Sequence, residues 1–425
     1  MMTSNRRRLF IYIGVLITAV YICLFLRSVS FRILATDSAK YALNIAVPHP
    51  PLGRWLMVAS QWVFGHTDFA ARFPSFFADV FSFWLFLKLI LRREKYLPLL
   101  LFFFIAINPA VIYWMGQGYQ TSFISCAIAL ITYGAAKESR MGLFWIFAGY
   151  MLAIWTQLQG LLLFPVICIL FWQAWREKKL QIQRNNPALW LFIFIAVHSG
   201  LVMLWLLTNP LAIADALSLA HRASSSGIVG RIIELFQADF VRLLIVAFIA
   251  GVLSFIARKE QRFRKATFLV GLGIFSIYFF KNPAPYYTPY VFALASWSVL
   301  GLDLPKRWIN FSILLLVVAA FVIDVGIVMP KLIYTSSYFR TEDINTLQKI
   351  VSKYPEDSIA LGNFGYEWNY FLLKRFVRFT TNRIIQDRVR AAFVFVPQTL
   401  SQDELSFLSI FSHRSHIGTV DIYER

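Results

Sequence analysis

The residues best suited to chemistry fall in one stretch, positions 35–76, which reads ATDSAKYALNIAVPHPPLGRWLMVASQWVFGHTDFAARFPSF. It holds an isolated carboxylate, Asp37, a histidine set among prolines, His49, and the cations Lys40, Arg54 and Arg72. A carboxylate within hydrogen-bond reach of a hydroxyl can take its proton. Arg, Lys and protonated His can neutralise a departing phosphate in a water-poor site. The expectation is a site that handles an anionic, lipid-linked substrate. Each residue also has a plainer reading. Asp37 could cap the helix SAKYALNIA, His49 could stiffen a turn, and the arginines could anchor at a membrane surface.

Two later clusters have the same mixed character. Lys281 ends an apolar run and is followed by Tyr286 and Tyr287, a polar, aromatic mouth suited to binding, although a lysine there could simply snorkel. Gln117, Tyr119 and Gln120 supply neutral donors and acceptors suited to hydroxyl groups or to ordering a loop. A fourth outer loop carries Asp215, Arg222, Arg231 and Glu234 around SSSG at 224–227, a candidate gate. Asp324, inside an apolar run, has no evident role.

The elements that position these residues are dictated by composition. The chain has 425 residues, 58% hydrophobic and 17% aromatic, with 15% charged. Runs of about 20 apolar residues recur, which is the length of a membrane-crossing helix. In lipid each segment must satisfy its own backbone hydrogen bonds, and continuous runs such as FSILLLVVAAFVIDVGIVM lack the alternation of barrel strands. The fold class expected is therefore an all-α polytopic membrane protein of about eleven spans. They are placed at 9–27, 75–91, 96–113, 120–136, 141–157, 159–175, 188–208, 239–257, 266–280, 287–303 and 309–329.

Basic clusters at 6–8, 92–95, 137–140, 176–179, 258–265 and 305–307 fall in alternate loops, which the positive-inside rule assigns to the cytoplasm. The net charge of +19 is thus largely topological and does not imply nucleic-acid binding. The N-terminal run exceeds a signal h-region, so an uncleaved anchor with a cytoplasmic N-terminus is expected. Cys23, Cys126 and Cys168 all fall in apolar runs and suggest packing rather than disulfides or metal ligation. Residues 331–425 have soluble composition and read as a small mixed α/β domain outside the cytoplasm, after a membrane domain at 1–330. Its signals are the capping box SQDE at 401–404 and the strand AAFVFV at 391–396. Against this topology the first outer loop is unusually basic, and anion binding is the reason it suggests.

The order of motifs resembles a known family. D-x-x-x-Y (Asp37, Tyr41), H-P-P-L-G-x-W (His49 to Trp55) and F-G-x-x-x-F-A-x-R-x-P-S (Phe64 to Ser75) follow the anchor. NPAVIYWMGQGYQ from Asn108, TQLQGLLLFP from Thr156 and KNPAPYYTPYVFALA from Lys281 come later in the family's order. Residues 1–330 resemble the GT-C glycosyltransferases, in the branch of the protein O-mannosyltransferases and the bacterial lipid A aminoarabinose transferase.

The resemblance implies a membrane enzyme that moves a sugar from a polyprenyl-phosphate donor to an acceptor hydroxyl of a lipid, glycan or protein outside the cytoplasm, and one carboxylate with a ring of cations suits an inverting transfer. It maps the family's general base onto Asp37 and its cations onto His49, Arg72 and Lys281; Arg54, by its place in the same loop, is a further candidate for donor-phosphate contact. Lys40, Tyr41, Gln117, Tyr119, Gln120, Tyr286 and Tyr287 are the expected substrate-binding residues. No cofactor is implied, and no D-x-D motif marks a metal site, so a divalent metal is possible but unsupported. The chain departs from the family in lacking an acid in the second outer loop and in having Gln157-Leu158-Gln159-Gly160 where relatives have T-K-G. Two other readings stay open: a flippase or transporter of lipid-linked sugars, and a silent binder that scaffolds an envelope complex.

Overall fold

The structure, a computed structural model, describes residues 4–31, 36–44, 49–93, 95–115, 117–137, 140–176, 187–210, 212–214, 228–257, 271, 273–275, 285–300, 302, 307–333, 341–354, 358–362, 377–378, 389–395, 400–417 and 420–425. The helices are α1 (Ser4–Phe31), α2 (Thr36–Ala42), α3 (Leu52–Phe64), α4 (Asp68–Leu91), α5 (Tyr96–Ala106), α6 (Pro109–Trp114), α7 (Thr121–Lys137) and α8 (Arg140–Thr156). A 3-10 turn, Leu158–Leu163, leads into α9 (Phe164–Arg176). There follow α10 (Pro187–Thr208), α11 (Ile228–Gln237), α12 (Val241–Ala257), α13 (Thr288–Leu300) and α14 (Arg307–Ile333). The helices α15 (Thr341–Val351) and α16 (Gln402–Leu408) belong to the C-terminal region.

Every expected span except 266–280, most of which lies outside the described residues, coincides with apolar helix. Among the described residues, four stretches are long and apolar enough to cross a bilayer, Arg7–Val29, Asp68–Leu91, Leu189–Thr208 and Asn310–Pro330, and shorter apolar helices accompany them. The chain is a polytopic helical membrane protein. One expected span is not continuous. The run 96–113 breaks into α5 and α6 because Asn108 and Pro109 cap a new helix: the Asn108 side chain accepts from the Ala110 N–H at 2.9 Å and proline sits at the first position. The orphan carbonyl of Ala106 is met by the Tyr21 hydroxyl at 2.5 Å.

The chain forms two compact units. The first comprises residues 1–25, 46–56 and 73–334. In it α7 packs along α8 and α13, and α12 packs along α13. The α7–α8 hairpin is tight, since a Cβ on Gly134 would lie 2.4 Å from the Gly142 carbonyl oxygen.

The second unit comprises residues 26–45, 57–72 and 335–425. Its sheet has strands β1 (Ser358–Leu361), β2 (Val377–Arg378), β3 (Ala391–Phe395), β4 (Ser412–Ile417) and β5 (Val420–Glu424) in the order β2-β1-β3-β5-β4. β1 runs parallel to β2 and β3, and β5 antiparallel to β3 and β4. Alternate residues face opposite layers, as the two-residue strand period requires. Ala360, Ala391, Phe393, Val420 and Ile422 pack on Leu347 and Val351 of α15. Ile359, Leu361, Ala392 and Val394 pack with Phe407 and Leu408 of α16. The capping box is present: Ser401 accepts from the Glu404 N–H, and Glu404 accepts from the Ser401 N–H at 2.8 Å.

Candidate functional site

In the second unit the first-loop residues are placed by α2. Asp37 lies in its first turn, and Lys40 and Tyr41 follow in the same helix. Ala39 and Ala42 pack instead on Ala71 of α4. Small residues on both sides let the two helices meet closely. The helix ends where Asn44 turns to φ 53°, and the Gln61 amide donates to the Ala42 carbonyl at 2.7 Å. Lys40 is half-buried and Tyr41 is buried.

Arg72, also in this unit, is 0% exposed. Its Nε donates to Asp68 Oδ1 at 3.0 Å, a terminal nitrogen lies 2.8 Å from Asp68 Oδ2, and the other donates to Ser28 Oγ at 3.0 Å. Asp68 stands one helical turn before Arg72, so the i, i+4 spacing was a readable signal of this pair.

In the first unit His49 and Arg54 are half-buried beside the start of α3. Next to Arg54, Gly53 has no room for a side chain: a Cβ there would lie 2.9 Å from both Cδ and Nε2 of Gln120. The first-loop helix and the second loop therefore meet at this glycine. The second loop is tied to α4 by Ser75, whose hydroxyl donates to the Tyr119 carbonyl at 3.1 Å. Gln117 is used within the loop, donating to the Tyr113 carbonyl at 2.7 Å.

Tyr119 stacks on Tyr286 with ring centres 5.1 Å apart and an interplanar angle of 11°. Trp114 meets Tyr119 edge-on at 6.0 Å. From Tyr286 the aromatic wall continues to Tyr287 at 4.7 Å and, by a further stack, to Tyr290. The Tyr290 hydroxyl donates to Gln157 Oε1, so the glutamine of TQLQG is engaged in joining α13 to the end of α8. Tyr119, Tyr286 and Tyr287 thus belong to one wall, while Gln117 is bonded within its own loop and Gln120 packs at Gly53. Lys281 lies outside the described residues, as do Asp215, Arg222 and SSSG; Arg231 and Glu234 lie in α11, with Glu234 exposed.

Sequence reading missed the groups that hold this wall. Asp324 of α14 is 0% exposed, pairs with Arg242 of α12, and accepts from Asn108 Nδ2 at 2.7 Å. Asp239 accepts from the Trp114 indole N–H at 3.1 Å. These partners are scattered along the chain, and no local pattern links them. The network explains why an ionisable side chain sits in the last span: its charge is paired and hydrogen-bonded. Among the described residues, no group of three or more His, Cys, Asp or Glu side chains comes together as a metal-ligand set.

The first unit is a helical membrane bundle with a polar, aromatic wall, and the chain also carries a small C-terminal α/β unit. Comparison with solved structures shows a shared fold over nearly the whole chain. ArnT from Cupriavidus metallidurans in the apo state superposes with a TM-score of 0.59 at 13% identity, covering 96% of this chain and 97% of that one. ArnT from the same organism bound to undecaprenyl phosphate gives a TM-score of 0.47 at 10% identity over the same shares. No protein-family model and no curated protein sequence matches the chain. At this identity the likeness establishes a shared fold.

Proposed function

We propose that the chain is an integral-membrane glycosyltransferase that moves a sugar from a polyprenyl-phosphate donor to an acceptor hydroxyl on the extracytoplasmic side. The observation that carries this reading is the GT-C-type fold spanning 96% of the chain, on which the first-loop motifs fall in the family's order. In this reading Asp37 takes the acceptor proton as the oxygen attacks the anomeric carbon. The sugar–phosphate bond breaks with inversion, and the phosphate leaves toward His49, Arg54 and Lys281. Arg72, enclosed with Asp68 and Ser28, serves instead to hold the start of α4. Lys40 and Tyr41, which follow Asp37 in α2, bind substrate in this reading. The N-terminus lies in the cytoplasm and the C-terminal unit outside, as the basic loops require. Lipids, glycans and proteins are the acceptor classes.

The test is sugar release or transfer from radiolabelled polyprenyl-phosphate sugars by purified protein in detergent, wild type beside Asp37→Asn and Lys281→Ala. Turnover of one donor, reduced by about 10²–10⁴-fold in Asp37→Asn, supports the enzyme. Tight donor binding without turnover, unaltered in Asp37→Asn, points to a binder or flippase and sinks the proposal.

A further inference from the structure

Buried polar side chains nearly always find partners, because desolvating an amide or hydroxyl without replacing its hydrogen bonds is costly. One short stretch of this protein breaks the rule repeatedly. Gln120 is 0% exposed, and neither its Nε2 nor its Oε1 has a hydrogen-bond partner among the described residues. The same holds for the hydroxyls of Thr121, 1% exposed, and Ser125, 0% exposed, which lies one helical turn further along the same face of α7. Gln120 is pressed against the first turn of α3 at Gly53, next to Arg54, and its neighbour Tyr119 is held by Ser75 and stacked on Tyr286. The amide is thus fixed in place while its hydrogen-bonding capacity remains unused.

What would satisfy these groups is set by their chemistry. An amide offers two donors and one acceptor, and each hydroxyl can do either, so the strip matches a ligand with several neutral hydroxyls. It has no charge of its own. A cationic amino group would call for a carboxylate here, and the loop from Tyr113 to Thr121 has none. The buried carboxylates beside the strip are engaged: Asp79 accepts from the Ser122 hydroxyl at 2.7 Å, and Asp239 accepts from the Trp114 indole N–H and lies three residues from Arg242.

We infer that Gln120, with Thr121 and Ser125, reads the hydroxyls of an uncharged sugar on the lipid-linked donor, so that the enzyme selects a neutral hexose or pentose over an amino sugar. The inference rests on the glycosyltransferase reading above and adds the class of sugar. Gly53 is part of the device, because any side chain there would displace the amide.

Binding, rather than turnover, tests it. Full-length protein in lipid nanodiscs is loaded with radiolabelled polyprenyl phosphate. The label is then competed with unlabelled polyprenyl phosphate, with polyprenyl phosphate carrying a neutral hexose or pentose, and with polyprenyl phosphate carrying an amino sugar. The wild type is expected to bind a neutral-sugar donor about tenfold more tightly than the bare lipid phosphate, the gain of a good hydrogen bond or two. Gln120→Leu should abolish that preference while leaving affinity for bare polyprenyl phosphate within about twofold. Thr121→Val should reduce it in the same direction, which keeps the test open if the leucine variant folds poorly. Gln120→Glu should shift selection toward the amino sugar. A sugar preference unchanged in both Gln120→Leu and Thr121→Val, or a wild type that prefers the amino sugar, overturns the inference and leaves the transferase reading intact. A wild type that binds no lipid phosphate at all overturns both.

Discussion

At the scale of single residues, burial separates groups that sequence alone treats alike. Arg54 and Arg72 are both first-loop arginines in family-like motifs, yet one is half-buried beside the second loop and the other is enclosed with a carboxylate and a serine. Removing one partner of an enclosed pair strands a charge, whereas removing both does not. Arg72→Gln is therefore expected to destabilise the protein by about 3–5 kcal/mol. The double change Arg72→Gln with Asp68→Asn should recover part of that loss. Melting of the purified variants in detergent measures both, and equal melting of Arg72→Gln and wild type would show the pair to be dispensable. The pair was legible as Asp68 and Arg72 four apart. The enclosure was not, because it depends on Ser28 and on helix packing distant in sequence.

At the scale of elements, hydropathy sufficed to place nearly every membrane helix, because apolar length is a property of contiguous residues. The capping box of α16 and the strand β3 were legible for the same reason: their signals lie within a few residues. The break at Asn108 was less so. Asn-Pro is a turn signal, but here it acts with a carboxylate 216 residues away. Asp324→Leu leaves Arg242 without its counter-charge, and we expect a loss of about 3–5 kcal/mol. Asn108→Ala removes a helix cap and should cost about 1 kcal/mol. If Asp324→Leu proves no worse than Asn108→Ala, the pair is not the tie that holds α14 to α12.

The cap of α16 also responds to pH. Partial burial raises the Glu404 carboxyl, but hydrogen bonds from the backbone N–H groups of Ser401 and Gly362 and from the Ser401 hydroxyl outweigh it and hold it below its ordinary 4.5. A carboxyl depressed in the folded state contributes stability that is full above its unfolded value and fades as pH falls through its folded value. The C-terminal unit should therefore lose stability as pH drops below about 4.5, and Glu404→Gln should flatten that part of the profile. Melting followed against pH in both proteins decides this; parallel profiles would remove Glu404 as the cause.

At the scale of the whole molecule, charge distribution predicts an orientation that labelling can test. Basic residues alternate between loops, and the C-terminal unit follows an odd number of expected spans. A cysteine at exposed Ile410, in a chain whose native cysteines are replaced, should react from outside intact cells with a membrane-impermeant maleimide. A cysteine at exposed Arg92 should react only after the membrane is opened. The reverse pattern would invert the topology and remove Asp37 from the side where the acceptor is expected. The membrane fold as a whole was legible from composition and motif order. The make-up of the aromatic wall was less so, since Tyr119 and Tyr286 meet only when the helices between them are packed.

The unpartnered amide and hydroxyls near the start of α7 make ligand and fold thermodynamically interdependent. A donor that binds only the folded chain stabilises it by mass action, about 2.7 kcal/mol at a hundredfold excess over its dissociation constant. Heat resistance can thus serve as an assay: a panel of lipid-linked sugars, each mixed with the protein and warmed, would rank candidate donors without knowledge of the acceptor.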